Sequence, residues 1–395
     1  MRFAIQFAVL LSLLCSNLFA APQPDLEGRR KALNDLLAER WEYTLRTSPI
    51  YASILGDKRW NDKLDDFSQK AIDDDLEQSK KYLARFSAIN TTGFPEQEIL
   101  NKTLMVRDLQ MALEGARFKS WEMPVSQFSG VHIDLPQLVS VLSFQNVKDY
   151  EDYISRLRQI PRVFDETEIQ MRKGMAEGLM PPRILLEKVV KQSNDLATKT
   201  PEDSPFAQPF AKFPESISAA DQKRLREQGI AAIRESVLPA YVKFTTFVRE
   251  DYAPKGLTDP GVWALPDGPE RYAFRVKEST TTDLSPEEIH QIGLAQVKEI
   301  EARMIGVANQ LGYKDLKSFS ASLQTNPKVH VHSRQELLDL YQKNVDQMYL
   351  KLPSMFGHLP KARLQISRSR SSARKKPLRN TFRALKMDRV PVTSW

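Results

Sequence analysis

The sequence contains one cysteine, Cys15, among its 395 residues. A single cysteine forms no intramolecular disulfide, and it cannot supply the sets of thiolates that hold most structural zinc ions. Cys15 also lies within the N-terminal apolar run that starts at Phe3, so residues 21–395 have no cysteine at all. Disulfide scaffolds, thiol chemistry and Cys-ligated zinc are therefore excluded for these residues.

Apolar runs long enough to span a membrane are also lacking. The longest run, from Phe3 to Cys15, follows Met1-Arg2 and precedes "SNLFAAPQPD". A short positive start, an apolar stretch and small residues before a proline are typical of an export signal peptide. Leu14 is not the small residue that a lipoprotein anchor requires before Cys15. The sequence therefore predicts a signal peptide over residues 1–20, no transmembrane segment, and a periplasmic or secreted location without a convincing lipobox.

Excess positive charge is missing from most of the chain, although the net charge is +7. Residues 367–395, "SRSRSSARKKPLRNTFRALKMDRVPVTSW", contain nine Lys and Arg and one acid, Asp388. Subtracting these from the chain totals of 57 and 50 leaves 48 basic and 49 acidic residues in residues 1–366, a net charge of −1. Any nucleic-acid or anionic-membrane interpretation thus depends on the tail alone.

Apolar residues recur at three- and four-residue spacings along the chain, which is the pattern of amphipathic helices. Residues 25–46 show it through Leu26, Leu33, Leu36, Leu37 and Trp41. The same periodicity predicts four further helices, over residues 71–88, 97–114, 149–176 and 219–249. The sequence therefore predicts an all-α fold, mainly helical with few short strands.

Two helix starts are well marked. Ser285 is followed by Pro286 and Glu288, which predicts a capping box with proline at the first helical position. Ser333 and Glu336 repeat the serine–glutamate spacing. Strand-like alternation is confined to two short candidates, Tyr272–Val276 and Lys328–His332. Proline-bearing connections around residues 121–136, 181–182, 201–214 and 254–269 separate the helices, with a domain sub-boundary expected near 251–283.

Motifs that carry catalytic chemistry are absent from the sequence. It has no G-x-S-x-G, no P-loop, no G-x-G-x-x-G turn and no H-E-x-x-H. His330 and His332 are the one close histidine pair, and on a strand both rings would point to one side, as a metal site requires. We favour structural or surface histidines there, since no third ligand lies nearby. His290 is expected to be half-exposed, and His132 and His358 to stand alone in proline-containing loops.

Four stretches nevertheless resemble a known family. They are "SPIYASILGDKRWNDKLDDFS" (48–68), "FSGVHIDLPQL" (128–138), "MRKGMAEGLMPPRILLEKVV" (171–190) and "ALPDGPERYAFRVKESTTTDLSPEEIHQIGLAQVKEIEARM" (264–304). Together with "FGHLPKARLQI" (356–366), and in this order, they resemble the bacterial domain-of-unknown-function 885 family. The resemblance covers about residues 26–366.

The resemblance implies an exported, mostly helical protein related to gluzincin-type zinc metallopeptidases. It also implies an active site on a helix with an H-E-x-x-P-G-H-H motif, where two histidines bind zinc and the glutamate polarises the metal-bound water. That helix lies C-terminal to the stretches that match here, so no catalytic, cofactor-binding or metal-ligating residue carries over to this chain. Residues 21–366 are then expected to be the helical N-terminal region of a zincin-like fold, with "TTTD" (280–283) near the substrate.

The basic tail can be explained by a change of reading frame near Ser367. In the shifted frame Met387-Asp388 forces a glycine, and residues from Ser369 onward can be back-translated to "FEEFREKKAPAQHFSSAKDGSRPGYF", which resembles the family's continuation. The sequence therefore predicts a truncated family member, with residues 367–395 as a disordered basic tail that is out of frame.

These observations lead to one main functional expectation and two alternatives. The chain is expected to be inactive and without zinc, whereas an intact relative would be a zinc-dependent hydrolase of peptides. The first alternative is a non-catalytic periplasmic binding or scaffold protein built on the same helices. The second is a protein whose cationic tail binds nucleic acid or anionic lipid. The sequence predicts no nucleic-acid partner for the main reading and leaves the oligomeric state open.

Overall fold

The computed structural model describes residues 25–366, and regular secondary structure in this range is helical apart from one isolated bridge between Pro182 and Leu257. The predicted signal peptide and the predicted basic tail lie outside the described residues. The chain divides between Asp283 and Leu284 into two compact units, whose described residues are 25–283 and 284–366. The all-α prediction is confirmed.

The first unit contains eleven α-helices within its described residues, 25–283. In chain order they are α1 (Leu26–Thr47), α2 (Pro49–Leu55), α3 (Gln69–Ala88), α4 (Glu96–Ala116), α5 (Val131–Gln137), α6 (Val147–Glu177), α7 (Arg183–Ala197), α8 (Gln208–Ala211), α9 (Ala219–Ala232), α10 (Leu238–Phe247) and α11 (Gly268–Thr280). The five predicted ranges fall on six of these helices, α1, α3, α4, α6, α9 and α10.

The main core of this unit surrounds α6, a helix of 31 residues that begins at the Asn146 cap and ends at Gly178. Its buried positions recur through the whole length of the helix, among them Tyr150, Leu157 and Phe164. They pack with apolar residues of α7, α9 and α10 in one continuous cluster. A helix that buries residues on several sides is the centre of a bundle rather than a surface helix.

A second, smaller cluster holds the N-terminal helices together. Leu33 and Leu36 from α1 pack with Tyr82 and Phe86 from α3 and with Leu109 from α4. All five side chains are at most 5% exposed. Leu33 and Leu36 are among the stripe positions predicted for α1, whereas Leu26 and Trp41 of the same stripe are 39% and 45% exposed. The periodicity therefore identifies this buried face only in part.

The segment between α2 and α3 is attached to α6 by side chains that bond to its backbone. Gln159 donates to Asp62 O (2.6 Å) and accepts from Leu64 N (3.1 Å). Glu166 accepts from Phe67 N (2.9 Å). The carbonyl and amide groups of an irregular segment need such partners when they are buried. These hydrogen bonds give much of the 48–68 stretch a structural role, since they fix its backbone to α6.

The residues from α9 to α10 and beyond form one nearly continuous helix with two π-turns, Ile233–Val237 and Val248–Tyr252. A proline removes one N–H and crowds the carbonyl four residues before it. For Pro239 that carbonyl belongs to Glu235, and for Pro254 it belongs to Glu250. Both carbonyls lie inside a π-turn, so the wider turn accommodates each proline without breaking the helix.

The second unit consists of α12 (Pro286–Gln310), α13 (Leu316–Thr325) and α14 (Arg334–Met355). The predicted capping box is confirmed: Ser285 Oγ accepts from Glu288 N (3.2 Å) and Glu288 Oε2 accepts from Ser285 N (2.7 Å). At α14, Ser333 Oγ accepts from Glu336 N (3.0 Å). Both serines therefore start the helices that the sequence assigns to them.

The two predicted strands are not strands. Tyr272–Val276 lies within α11, where the i,i+3 pair Arg271 and Phe274 is buried on one face. The second candidate contains a 3₁₀ turn, Pro327–Val329, with Asn326 Oδ1 accepting from Lys328 N (3.0 Å). A short alternating run has no strand stability without a neighbouring strand to pair with. In both segments the backbone forms local helical turns instead of a strand.

Candidate functional site

His132 is a buried core residue, and its predicted position in a proline-containing loop is wrong. It lies in α5 with no exposed surface, and its ring stacks on Phe244 at 6.0 Å between centroids. Nε2 lies 3.3 Å from Gln192 Oε1, whereas Nδ1 is buried without a hydrogen-bond partner. Burial lowers the pKa of His132 to about 4, and the Gln192 contact opposes this shift. The ring is therefore neutral at pH 7.

The pair His330 and His332 is exposed, and each residue has a local structural contact. His330 Nε2 lies 2.9 Å from the carbonyl oxygen of Leu323, at the end of α13. His332 uses its backbone N–H, which donates to Glu336 Oε2 (2.6 Å) at the start of α14. These contacts attach the connection between α13 and α14 to the end of α13 and to the start of α14.

The "TTTD" segment closes α11. Thr281 adopts the left-handed conformation at φ 58°, and its N–H donates to Lys277 O (3.1 Å). This conformation is strained for a β-branched residue. Thr280 Oγ1 donates to Val276 O (2.8 Å) and lies 3.0 Å from Thr282 Oγ1. The segment has a helix-ending role, and its proximity to a substrate stays a prediction.

The α11 part of the longest family-like stretch, 264–304, is explained by the way α11 is fixed to the end of α4. The buried guanidinium of Arg271 donates to Phe118 O (2.7 Å) and to Pro266 O (2.7 Å). Phe274 packs against Phe118, with 5.4 Å between ring centroids. A side chain at Gly115 would meet the Phe274 ring at 2.8 Å, so the glycine permits this approach.

The strongest candidate for a site lies beside this contact and is called the Glu122 junction here. It consists of the turn Ser120–Glu122, the last turn of α6 with Gly174 and Glu177, and Arg271 of α11. Gly174 brings α6 against the turn, because a Cβ there would lie 2.4 Å from Glu122 O. Three elements that are distant in sequence thus meet at one buried carboxyl group.

Glu122 is 4% exposed, and its Oε2 has no hydrogen-bond partner. The neighbouring Trp121 Nε1 is also buried without a partner. Burial raises the pKa of Glu122, and the negative charge of Glu177 raises it further. Buried polar atoms without partners are uncommon in folded proteins, and they are found where water, an ion or a ligand completes the site.

Lys119 lies at the edge of the Glu122 junction and is paired there with Glu177. Its Nζ donates to both carboxylate oxygens of Glu177 at 2.6 Å, and its backbone is left-handed at φ 48°. Strained backbone of this kind clusters at functional sites. Its positive charge also opposes the rise in the Glu122 pKa. The junction can therefore accept or donate a hydrogen bond through Glu122, but it offers no nucleophile–base pair.

We expect Gly174→Ala to destabilise the first unit by about 1–3 kcal/mol, since the added methyl group would overlap the backbone of Glu122 and force α6 away from the turn. Urea denaturation followed by circular dichroism measures the change. Gly293→Ala in α12 is the matched control, because a Cβ there meets nothing within 4 Å. Equal stability of the two alanine variants would contradict the close approach at Gly174.

A zinc ion is implied by the family resemblance, and the described residues do not fit one. Between residues 25 and 366, no group of three or more His, Cys, Asp or Glu side chains lies close enough to hold a metal. All five histidines belong to this range, and the ring contacts of His132 and His330 are with Gln192, Phe244 and Leu323. We therefore assign no metal ligand.

An open groove of about 630 Å³ runs along α14 and is lined by Asp339, Asp346, Tyr349 and Arg363, among others. Arg363 lies over the Tyr349 ring at 5.7 Å. The groove holds no nucleophile–base pair and is far more open than a typical ligand pocket, which buries most of its ligand. We do not treat it as an active site.

Sequence reasoning missed the Glu122 junction. Glu122 lies in a three-residue turn without periodicity that directly follows Lys119, and Gly174 and Arg271 meet it only through tertiary packing. One signal was present: Arg271 and Phe274 share a helix face in "PERYAF", which places an arginine on an apolar stripe. A buried arginine needs several acceptors, so this pattern indicates a nearby cluster of polar backbone groups.

Comparison with known proteins identifies one family. The sequence model of the family described as "Bacterial protein of unknown function (DUF885)" matches residues 49–379. The match covers most of the chain and extends thirteen residues past Ile366. Among curated proteins, none matches the chain significantly.

A similar solved structure is that of a protein from Colwellia psychrerythraea described as a "putative lipoprotein". The TM-score is 0.77 at 20% sequence identity, and the match covers 86% of this chain and 62% of that chain. At 20% identity the likeness establishes a shared fold and nothing further. Because the match covers 62% of that chain, this chain spans less than two thirds of the length of this relative. None of the helices within residues 25–366 is long and apolar enough to cross a membrane.

Proposed function

The chain belongs to the DUF885 family of bacterial proteins of unknown function, and we propose that it supplies the helical, non-catalytic part of an exported, metal-dependent peptide hydrolase. In this proposal the residues that bind the metal and cleave the peptide belong to the part of full-length relatives that has no counterpart in this chain. The chain itself neither holds zinc nor hydrolyses peptides.

The observation that carries the proposal is the partial coverage of a well-matched fold. The chain and the Colwellia protein share the fold over 86% of this chain, while 38% of that protein lies outside the match. The H-E-x-x-P-G-H-H motif that the family resemblance implies is absent from these 395 residues. A fold that is shared and a catalytic motif that is absent together support a scaffold role for these helices.

Export is part of the same proposal. The N-terminal segment of residues 1–20 has the charged start, apolar stretch and small residues of a signal peptide. The structural relative is described as a "putative lipoprotein", which is consistent with export in that protein. We therefore propose a periplasmic or secreted location for this chain. Peptides are then the substrate class of the intact relative.

A chimera tests this function. Residues 1–366 are joined to the C-terminal part of a relative that carries the H-E-x-x-P-G-H-H motif, and zinc content and cleavage of a fluorogenic peptide are measured. We expect the chimera to hold stoichiometric zinc and to lose cleavage when a chelator is added or when the motif glutamate is replaced by glutamine. The full 395-residue chain, measured in parallel, should show neither property.

Two results would overturn the proposal. The first is stoichiometric zinc or metal-dependent cleavage in the full 395-residue chain. The second is a chimera that folds cooperatively, as judged by circular dichroism, and yet binds no zinc.

A further inference from the structure

Helix α12 exposes nearly all of its apolar side chains. From Gln291 to Val307 every residue is exposed, and Ala308 is the one buried residue of the helix. The exposed apolar residues of α12 are 43–54% accessible and comprise Ile292, Leu294, Val297, Ile300, Met304, Ile305 and Val307. Scattered exposed apolar residues are ordinary, but a contiguous row along about four turns indicates an interaction surface.

The row covers more than one side of the helix. At about 100° per residue, Ile292, Val297, Ile300 and Val307 lie on one broad face, and Leu294 and Ile305 extend it around the helix. A helix that packs on one neighbour shows a narrower stripe, whereas a helix in the interior of a bundle is apolar over a wider arc. The pattern is therefore that of a helix with neighbours on more than one side.

Packing is also what such a helix needs for stability. Helical segments in water depend largely on the burial of an apolar face, and propensity alone is marginal. Gly293 and Gly306 lie within α12, and each lowers helix propensity by roughly 1 kcal/mol relative to alanine. Neither has an atom within 4 Å of the position a Cβ would take. A close-packed neighbour would explain why the helix tolerates two small residues.

The helix α14 of the same unit shows the same property. None of its residues is buried, and Met348, Leu350 and Met355 are 60–84% exposed. Exposed methionines and leucines are side chains that adapt to the surface of a partner. The apolar surface thus belongs to the unit formed by residues 284–366 rather than to a single helix.

The chemistry of α12 favours a polypeptide over a membrane surface. A helix that lies on an anionic bilayer carries Lys and Arg on its polar face. In α12 the charged residues are four glutamates against one lysine and one arginine: Glu287, Glu288, Glu299, Glu301, Lys298 and Arg303. Arg303 is in addition paired with Glu299 at 3.7 Å. The excess of acid disfavours attraction to anionic lipid.

We infer that the apolar face of α12 is a docking surface for an amphipathic polypeptide from the part of full-length DUF885 proteins that lies outside the match to this chain. The inference rests on the proposed function and adds the surface through which the two parts associate. The family match includes α12, since it runs over residues 49–379. The match spans about 340 residues (86% of 395), which is 62% of the Colwellia protein, so about 210 of its residues lie outside the match, and this length suffices for several helices.

Binding of a separate polypeptide tests the inference. The probe is the part of the Colwellia protein outside the match, produced as a fluorescently labelled polypeptide and titrated with the full 395-residue chain. We expect saturable binding that Ile300→Asp weakens at least tenfold, because the carboxylate would be buried in an apolar contact. Ile300→Ala, which keeps a strong helix former, should weaken binding several-fold.

Ile184→Asp is the matched control, since Ile184 is an exposed isoleucine of α7 at 59% accessibility, close to the 48% of Ile300. We expect this variant to bind like the unchanged chain, with circular dichroism confirming that all variants retain their helices. Equal binding by the unchanged chain and Ile300→Asp, or no binding by any of them, would overturn the inference.

Two other occupants give distinct results. A dimer of the full chain that Ile300→Asp dissociates would show that a second copy covers this face, and association with vesicles of anionic lipid that Ile300→Asp abolishes would show a membrane contact. Either result would overturn the inference. If instead the probe binds through Ile300 and the chimera holds no zinc, the docking surface stands and the proposed hydrolase function fails.

Discussion

Replacing Arg156 with methionine is expected to lower the free energy of unfolding of the first unit by about 3 kcal/mol or more. Arg156 is 1% exposed. Its Nε donates to Lys63 O (2.7 Å), and its Nη2 donates to Ser53 Oγ (2.7 Å) and lies 3.2 Å from Pro49 O. Methionine fills a similar volume but donates no hydrogen bond, and a hydrogen bond from a charged group contributes about 1.5–3 kcal/mol. Lys63 O loses its donor, whereas the Ser53 hydroxyl still has Pro49 O at 2.9 Å and Asn61 Oδ1 at 2.6 Å.

The guanidinium of Arg156 reaches these acceptors without forming a salt bridge. Burial lowers the pKa of Arg156 to about 10, while the negative charge of Asp65 raises it, so the group remains charged at neutral pH. Removing a buried charge recovers some solvation free energy, which is why we expect about 3 kcal/mol rather than the sum of all lost hydrogen bonds.

Urea denaturation of the full chain measures the effect, and Arg158→Met provides the matched control. Arg158 is exposed and lies two residues away on the same helix. We expect the control to change stability by less than about 0.5 kcal/mol, as surface substitutions usually do. Arg156→Lys keeps a charge but lacks the fork of donors, so its stability should lie between those of the methionine variant and the unchanged chain. Similar stability of Arg156→Met and Arg158→Met would contradict the role assigned to Arg156.

The first unit is expected to lose about 2 kcal/mol of stability between pH 7 and pH 5 through His132 alone. The folded pKa of His132 is about 4, and the unfolded value is about 6.5. Between these values the unfolded chain binds more protons than the folded chain, so the free energy of unfolding falls as the pH falls. The contribution is fully present above pH 6.5 and is lost progressively as the pH approaches 4.

The test compares His132→Gln with the unchanged chain in urea denaturation at pH 7 and pH 5. His132 is the one histidine in residues 25–283, so histidine titration in this unit reports on a single ring. We expect the variant to be less stable at pH 7 and to lose less stability on acidification. His290→Gln, at an exposed position of α12, should leave the pH dependence unchanged. An unaltered slope in His132→Gln would show that other groups cause the acid sensitivity.

The helices could be predicted because periodicity is a local property. Residues 71–88 and 149–176 were predicted within three residues of α3 and α6, and the Ser285–Glu288 capping box was predicted to the residue. The strand at Tyr272–Val276 was wrong because a five-residue alternation also fits a helix. Only the packing of Phe274 on Phe118, more than 150 residues away, decides between the two.

The candidate site could not be predicted because it also depends on contacts between residues that are far apart in the sequence. Arg156 and Glu122 are charged residues whose burial depends on segments far away in sequence, and an average charged residue is exposed. The resemblance to the family indicated which stretches matter, but not why. The structure shows that Arg271 and the hydrogen bonds of the 48–68 segment are largely structural, whereas Glu122 Oε2 and the neighbouring Trp121 Nε1 are buried without hydrogen-bond partners.

The two π-turns have a consequence for the orientation of side chains along the helix that begins at Ala219. From Ile233 to Tyr252 the fully buried positions step by four, four, three, four and four residues, through Val237, Tyr241, Phe244 and Val248. In a regular α-helix such a row would turn gradually away from the core, because the helix has 3.6 residues per turn. Each wider turn delays that rotation and keeps the aromatic residues aimed at α6 and its neighbours. Each π-turn therefore acts as a register correction that holds one extra residue. A single-residue deletion within a π-turn is expected to restore a regular α-turn and to leave the later side chains facing the core, whereas the same deletion in a regular turn would rotate them by about 100°.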